Sequence, residues 1–80
     1  MIFTYQDLAK GTVNAISEDG GAWMEIPSTF DSEKDRGAIY REIRRSWGLY
    51  LDIEWVHIMD VRSHNKLNEA IAFKNKYDEG

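Results

Sequence analysis

Two histidines, His57 and His64, flank Asp60 within one short stretch, and a metal could in principle bridge the three. Metal sites need three or four convergent ligands. The chain holds no cysteine and no His-Glu-x-x-His pattern, so no metal or cofactor is expected. One hydrogen bond per imidazole accounts for both rings. Asp52 and Glu54 fall on one side of an extended segment, about 7 Å apart, and Asp60 shares that side. Paired carboxylates can perform acid–base chemistry, but a solvated sheet face explains all three. The serines lie in turns and caps rather than in a Gly-x-Ser-x-Gly elbow, and Gly20-Gly21 is too short to cradle phosphate. No catalytic set emerges, and no enzyme is expected.

Arg41, Arg44 and Arg45, beside Tyr40 and Trp47, are the other set with chemical potential. Guanidinium groups can hold phosphates while an aromatic ring stacks on a base. An acidic protein groove would suit the same arginines. Between Lys34 and Arg45 there are five bases and two acids, whereas the remaining chain carries five bases and twelve acids. The formal net charge is −4. Such asymmetry favours steered association through one face, although solvated helix charges produce the same pattern.

The elements that position these groups follow from hydrophobic spacing. Eighty residues make one domain, 1–80, and its core must come from aromatic and aliphatic packing without disulfides. No apolar run reaches the roughly 20 residues that span a bilayer, and Met1-Ile2-Phe3-Thr4 lacks the features of a signal peptide. A cytoplasmic protein, in a bacterial host cell, is the expectation. Met1–Tyr5 favours a strand, with a capped helical turn from Thr4 as the competing reading. Thr12–Ser17 alternates, Glu18-Asp19-Gly20-Gly21 turns the chain, and Ala22–Ile26 pairs back until Pro27 ends the ladder. Ser28–Glu33 offers helix caps with acids in the first turn. Ile39, Ile43 and Trp47 then form a helical stripe that Gly48 terminates, with Gly37 shifting the regular start toward Ala38.

Leu49–Val61 reads as the main strand, with Leu51, Ile53, Trp55, His57 and Met59 on the core side. Asp52, Glu54, Val56, Ile58 and Asp60 take the wet side. Ser63 caps a last helix in which Leu67, Ala70 and Ile71 share a stripe, and Tyr77–Gly80 should fray. The fold class is α+β: an antiparallel sheet of three or four strands, one main helix packed on one face, and a shorter C-terminal helix.

Several short segments carry a resemblance. They are Tyr5-x-x-Leu8, Asn14, Gly21-Ala22-Trp23-Met24-Glu25-Ile26-Pro27, Phe30-Asp31-Ser32-Glu33, Glu54-Trp55-Val56-His57-Ile58-Met59-Asp60-Val61 and Lys66-Leu67-Asn68-Glu69. Their order resembles the first domain of ArdA-type antirestriction proteins, DNA mimics that block type I restriction–modification enzymes. Members of that family are longer and more acidic than this chain. Small phage anti-CRISPR inhibitors have a similar character. The resemblance implies a non-catalytic inhibitor of a bacterial nucleic-acid-targeting defence complex, with a DNA-mimicking acidic surface and no direct contact with nucleic acid or membrane. The acids that would stand in for phosphates are Glu18, Asp19, Glu25, Asp31, Glu33, Asp52, Glu54 and Asp60, with Trp23 as an anchor if it faces outward. The alternative surface is the basic helix bearing Arg41, Arg44 and Arg45.

Overall fold

The computed structural model describes residues 1–27, 34–48 and 52–79. The cap candidates at 28–33, including Asp31 and Glu33, and the strand start at 49–51 lie outside the described residues. Three strands come first: β1 (Ile2–Asp7), β2 (Thr12–Ser17) and β3 (Trp23–Pro27). A helix, α1 (Arg36–Trp47), leads to β4 (Ile53–Val56), a 3-10 segment (Ile58–Ser63) and α2 (Asn65–Glu79). The sheet order is β3-β2-β1-β4. Both tight turns give antiparallel pairs, with Thr4 opposite Ala15 and Val13 opposite Ile26. β4 pairs with β1 in parallel, Ile2 opposite Ile53. Parallel neighbours need a long connection, and α1 supplies part of it between the two sheet edges.

Alternation along the strands loads both faces of the sheet. Ile2 and Phe3 are neighbours in sequence, and strand geometry sends them to opposite sides. Ile2 joins Val13, Ala15, Ile26 and the α1 residues Ile39 and Ile43, with Met24, Trp47, Ile53 and Trp55 against them. Phe3 joins Ile16, Val56 and the α2 residues Leu67 and Ala70. A helix therefore covers each face, α1 on one and α2 on the other. The sequence reading placed the helices on one face and Val56 on the wet side. Val56 is instead 7% exposed, because α2 makes that side a second core. Asn14 is buried there too: the Thr12 hydroxyl donates to its Oδ1 at 2.6 Å, and its Nδ2 donates to the Tyr5 hydroxyl at 3.4 Å.

Other boundaries depart from the sequence pattern. α1 starts at Arg36, so Gly37 lies inside the helix rather than ahead of it. Gly48 ends it as expected, with φ 102° and its N–H donating to the Arg44 carbonyl. The main strand stops at Val56 because the His57 ring, whose Nδ1 accepts from the Met59 N–H at 3.2 Å, caps the 3-10 segment. His57, Ile58, Met59 and Asp60 are therefore not strand residues. α2 covers fifteen residues against twelve for α1. It is capped by His64 rather than Ser63, the Leu67 N–H donating to His64 Nδ1 at 3.1 Å. Tyr77 lies within α2, and its ring meets Trp23 edge-on at 6.3 Å.

The β2–β3 turn is wedged under α2. Gly20 has φ 76°, a conformation other residues adopt at a cost, and a Cβ there would sit 2.5 Å from the Ala70 carbonyl oxygen. Gly37 has open space around its Cβ position. Gly20→Ala should therefore destabilise the protein by more than about 1 kcal/mol, while Gly37→Ala stabilises it by roughly 0.5–1 kcal/mol. Urea unfolding of the two variants checks both signs. The Thr4 hydroxyl is buried with no hydrogen-bond partner. Thr4→Val removes an unsatisfied oxygen at constant shape, so the same measurement should show equal or higher stability, by up to about 1–3 kcal/mol.

Candidate interaction surfaces

α1 separates its apolar and basic side chains cleanly. Ile39 and Ile43 recur at four-residue spacing and are fully buried, with Trp47 half-buried beyond them. Arg41, Arg44 and Arg45 fall on the solvent side, and all three are exposed. Arg44 and Arg45 occupy the last turn, where the helix dipole favours cations. The Arg44 guanidinium lies 5.5 Å from the centre of the Tyr40 ring, which holds it on the helix surface. Arg36 sits equally near the Trp55 ring. Among the described residues, none of Arg41, Arg44 and Arg45 forms an ion pair.

Of the six acids singled out from the sequence that are described, four have internal partners. Asp19 Oδ1 accepts from the Ser17 hydroxyl at 2.7 Å and from the Gly21 N–H at 2.9 Å. Those two bonds hold its carboxyl below the usual aspartate range. Asp19 thus builds the turn, a role that Ser-x-Asp-Gly-Gly could have signalled as an Asx-type turn. Glu25 receives the Lys10 ammonium at 3.1 Å, a contact that raises the lysine above its ordinary value. Glu18 has Lys66 at 4.0 Å. Glu54 Oε1 lies 3.0 Å from His64 Nε2. Because His64 Nδ1 already accepts a backbone N–H, its Nε2 carries the proton toward Glu54. The exposed Asp52 and Asp60 carboxylates have no partner among the described residues.

Position divides these acids further. Glu25 on β3 and Glu54 on β4 share a sheet face but stand three strand spacings apart, about 14 Å. That exceeds the screening length of roughly 8–10 Å at ordinary ionic strength. Glu18, Asp19 and Asp52 do come together at one end of the sheet: the Ile2 N–H donates to the Asp52 carbonyl, and the Glu18 N–H to the Met1 carbonyl. Asp60 lies beyond the opposite end of β4. Trp23 is half-buried between Tyr77 and Lys74 rather than displayed as an anchor.

His57 and His64 each cap a helical segment, and no three metal-ligating side chains gather among the described residues. Nor is any described helix long and apolar enough to cross a membrane. One surface escaped the sequence reading: a groove of about 280 Å³ where the end of β1 meets the 3-10 segment. Its walls come from residues far apart in the chain, and no local spacing announces it.

No family profile, curated protein or solved structure matches the chain.

The Asp19 turn gives an acid-sensitive contribution to stability. A carboxyl depressed in the fold stabilises it above the unfolded value near pH 4, and the contribution fades as pH falls through the lower folded value. Asp19→Asn keeps an acceptor oxygen but cannot titrate. Below about pH 4, the urea midpoint of the parent should fall more steeply than that of the variant.

Proposed function

We propose that this chain is a non-catalytic binding protein that offers the arginine face of α1 to a polyanionic partner. The observation that carries the reading is the set of three exposed guanidinium groups, Arg41, Arg44 and Arg45, without a counter-ion among the described residues. They project from a helix anchored by Ile39 and Ile43, so their spacing is held by the core. Guanidinium groups bind carboxylate and phosphate in a bidentate fork, and Tyr40 beside Arg44 adds an aromatic surface. The acidic remainder of the chain disfavours indiscriminate attachment to polyanions and orients the approach so that α1 leads. A cytoplasmic setting suits a chain with no cysteine.

A second reading keeps the acidic surface: inhibition of a bacterial nucleic-acid-targeting defence complex, of restriction or CRISPR type, by mimicry of DNA. The gathering of Glu18, Asp19 and Asp52 at one sheet end favours it. Duplex DNA carries one charge per ≈ 1.7 Å of axis, so this end would imitate only a short stretch of backbone. Glu25, paired with the Lys10 ammonium, and Glu54, held by the His64 ring, stand far apart and add little to that stretch.

Charge changes on the two surfaces separate these readings. In the first, a labelled single-stranded oligonucleotide or poly-glutamate binds the parent and loses affinity as salt rises. For three contacts to the oligonucleotide, the slope of log K on log salt is about −2. Combined Arg41→Glu, Arg44→Glu and Arg45→Glu should abolish this binding, while Asp52→Asn with Glu54→Gln leaves it intact or stronger. Binding that survives the arginine reversals sinks the first reading. If the acid neutralisations alone abolish inhibition of DNA binding by a purified restriction or CRISPR complex, the second replaces it.

A further inference from the structure

The two histidines of the chain use the same ring nitrogen for the same task. His57 Nδ1 accepts the Met59 N–H at 3.2 Å and opens the 3-10 segment. His64 Nδ1 accepts the Leu67 N–H at 3.1 Å and opens α2. Asn, Asp, Ser and Thr are the usual residues at a helix start, where a side-chain oxygen accepts the backbone N–H. Those oxygens remain acceptors at neutral and mildly acidic pH. An imidazole nitrogen does not: in the protonated ring both nitrogens are donors. A proton added at Nδ1 therefore sets a donor against the N–H it had been satisfying. It also places positive charge at a helix start, where the dipole favours anions.

The two rings differ in what meets that charge. His64 is half-buried, sets its ring edge-on to Phe3 at 5.1 Å, and directs Nε2 to Glu54 Oε1 at 3.0 Å. Its imidazolium would lose the Leu67 N–H but gain the attraction of the Glu54 carboxylate. His57 is exposed, and its Nε2 has no partner among the described residues. The elements around the rings carry further titratable or charged groups: Tyr5 and Asp7 on β1, Asp60 and Arg62 on the 3-10 segment, and Lys66 and Glu69 at the start of α2. None of these forms a hydrogen bond or ion pair with either imidazole.

We infer that His57 and His64 act together as a proton-sensitive latch: protonation of the two Nδ1 atoms releases the Met59 and Leu67 N–H groups and loosens the 3-10 segment and the first turn of α2, while the sheet and α1 stay in place. His64 exchanges its cap for a charged contact with Glu54, so its ring keeps its seat as the helix start opens. The segment is not released wholesale. The Asp60 N–H to the His57 carbonyl, the His64 N–H to the Val61 carbonyl and the Asn68 amide to the Arg62 carbonyl involve no titrating atom. Ile58, Val61 and Arg62 in this stretch line the groove beside β1, so the latch also governs the shape of that groove. None of this depends on the function proposed for α1.

The test follows the whole 15N-labelled chain from about pH 8 to about pH 5, the range in which imidazole ordinarily changes charge. Imidazole C–H shifts report the charge on each ring. Amide shifts and hydrogen-exchange rates, corrected for the intrinsic effect of pH, report the caps. The Met59 and Leu67 amides should follow the ring titrations, and Leu67 should lose about fivefold in protection, the change expected for one N-cap. Ala15, inside the sheet on β2, should keep its protection. His57→Asn and His64→Asn retain an acceptor that does not titrate, so each should abolish the response at its own cap and leave the other. Glu54→Gln removes the carboxylate that meets the His64 imidazolium, and Leu67 should then lose more protection at the acid end. Rings that titrate while both amides stay unchanged, an undiminished response in the Asn variants, or a loss of protection shared by Ala15 would each overturn the inference. Rings that remain neutral throughout the range would do the same.

Discussion

The adjacency of Ile2 and Phe3 is the constraint from which the rest of the architecture follows. In an extended strand these two side chains leave the backbone on opposite sides, and both are almost completely removed from water. β1 also lies inside the sheet, between β2 and β4. A central strand with large apolar groups on both sides needs a cover on each, and the chain has one helix for each. Ala15–Ile16 and Trp55–Val56 repeat the arrangement on the neighbouring strands, again dividing between the two cores.

Burying both sheet faces leaves little room for charge except on outer helix surfaces, in turns and at strand ends. Acids that fall near lysines or a histidine are drawn into local pairs, as with Glu25 and Lys10 or Glu54 and His64. Arg41, Arg44 and Arg45 form no ion pair among the described residues, because α1 presents them on the side away from the sheet. The electrostatic asymmetry of the sequence thus becomes a spatial one, with cations on α1 and acids dispersed around the remaining surface. Acids that are mostly held by neighbours, and three guanidinium groups that no described acid pairs, differ in what they offer an incoming molecule. That contrast underlies the preference for the arginine face.

Side chains that cap or turn the chain also join elements. His64 accepts the Leu67 N–H, meets Glu54 of β4 through its other nitrogen, and sets its ring edge-on to Phe3 at 5.1 Å. One residue thereby ties the start of α2 to an edge strand and to the second core. Gly20 performs the corresponding task at the other end, letting the β2–β3 turn approach the α2 backbone and the Phe73 side chain. With the helix seated at both places, the opening beside Leu8 and Arg62 stays uncovered at the far end of β1.

Local pattern alone identified β2, β3 and α1 and favoured a strand for β1 over a helical turn, because alternation, glycine turns and the Ile39–Ile43–Trp47 stripe are properties of neighbouring residues. The same pattern located Arg41, Arg44 and Arg45 on the outside of α1. Which face α2 would cover, the parallel pairing of β4, and the burial of Val56 were settled only by tertiary structure. Each depends on contacts between residues distant in the chain, and a strand carrying Glu54 before Val56 looks wet on that side until Leu67 and Ala70 arrive. The roles of the acids were settled in the same way. A carboxylate's surroundings belong to the fold, so Glu25 as a partner of Lys10 and Glu54 as a partner of His64 became visible only once the strands and helices had been brought together.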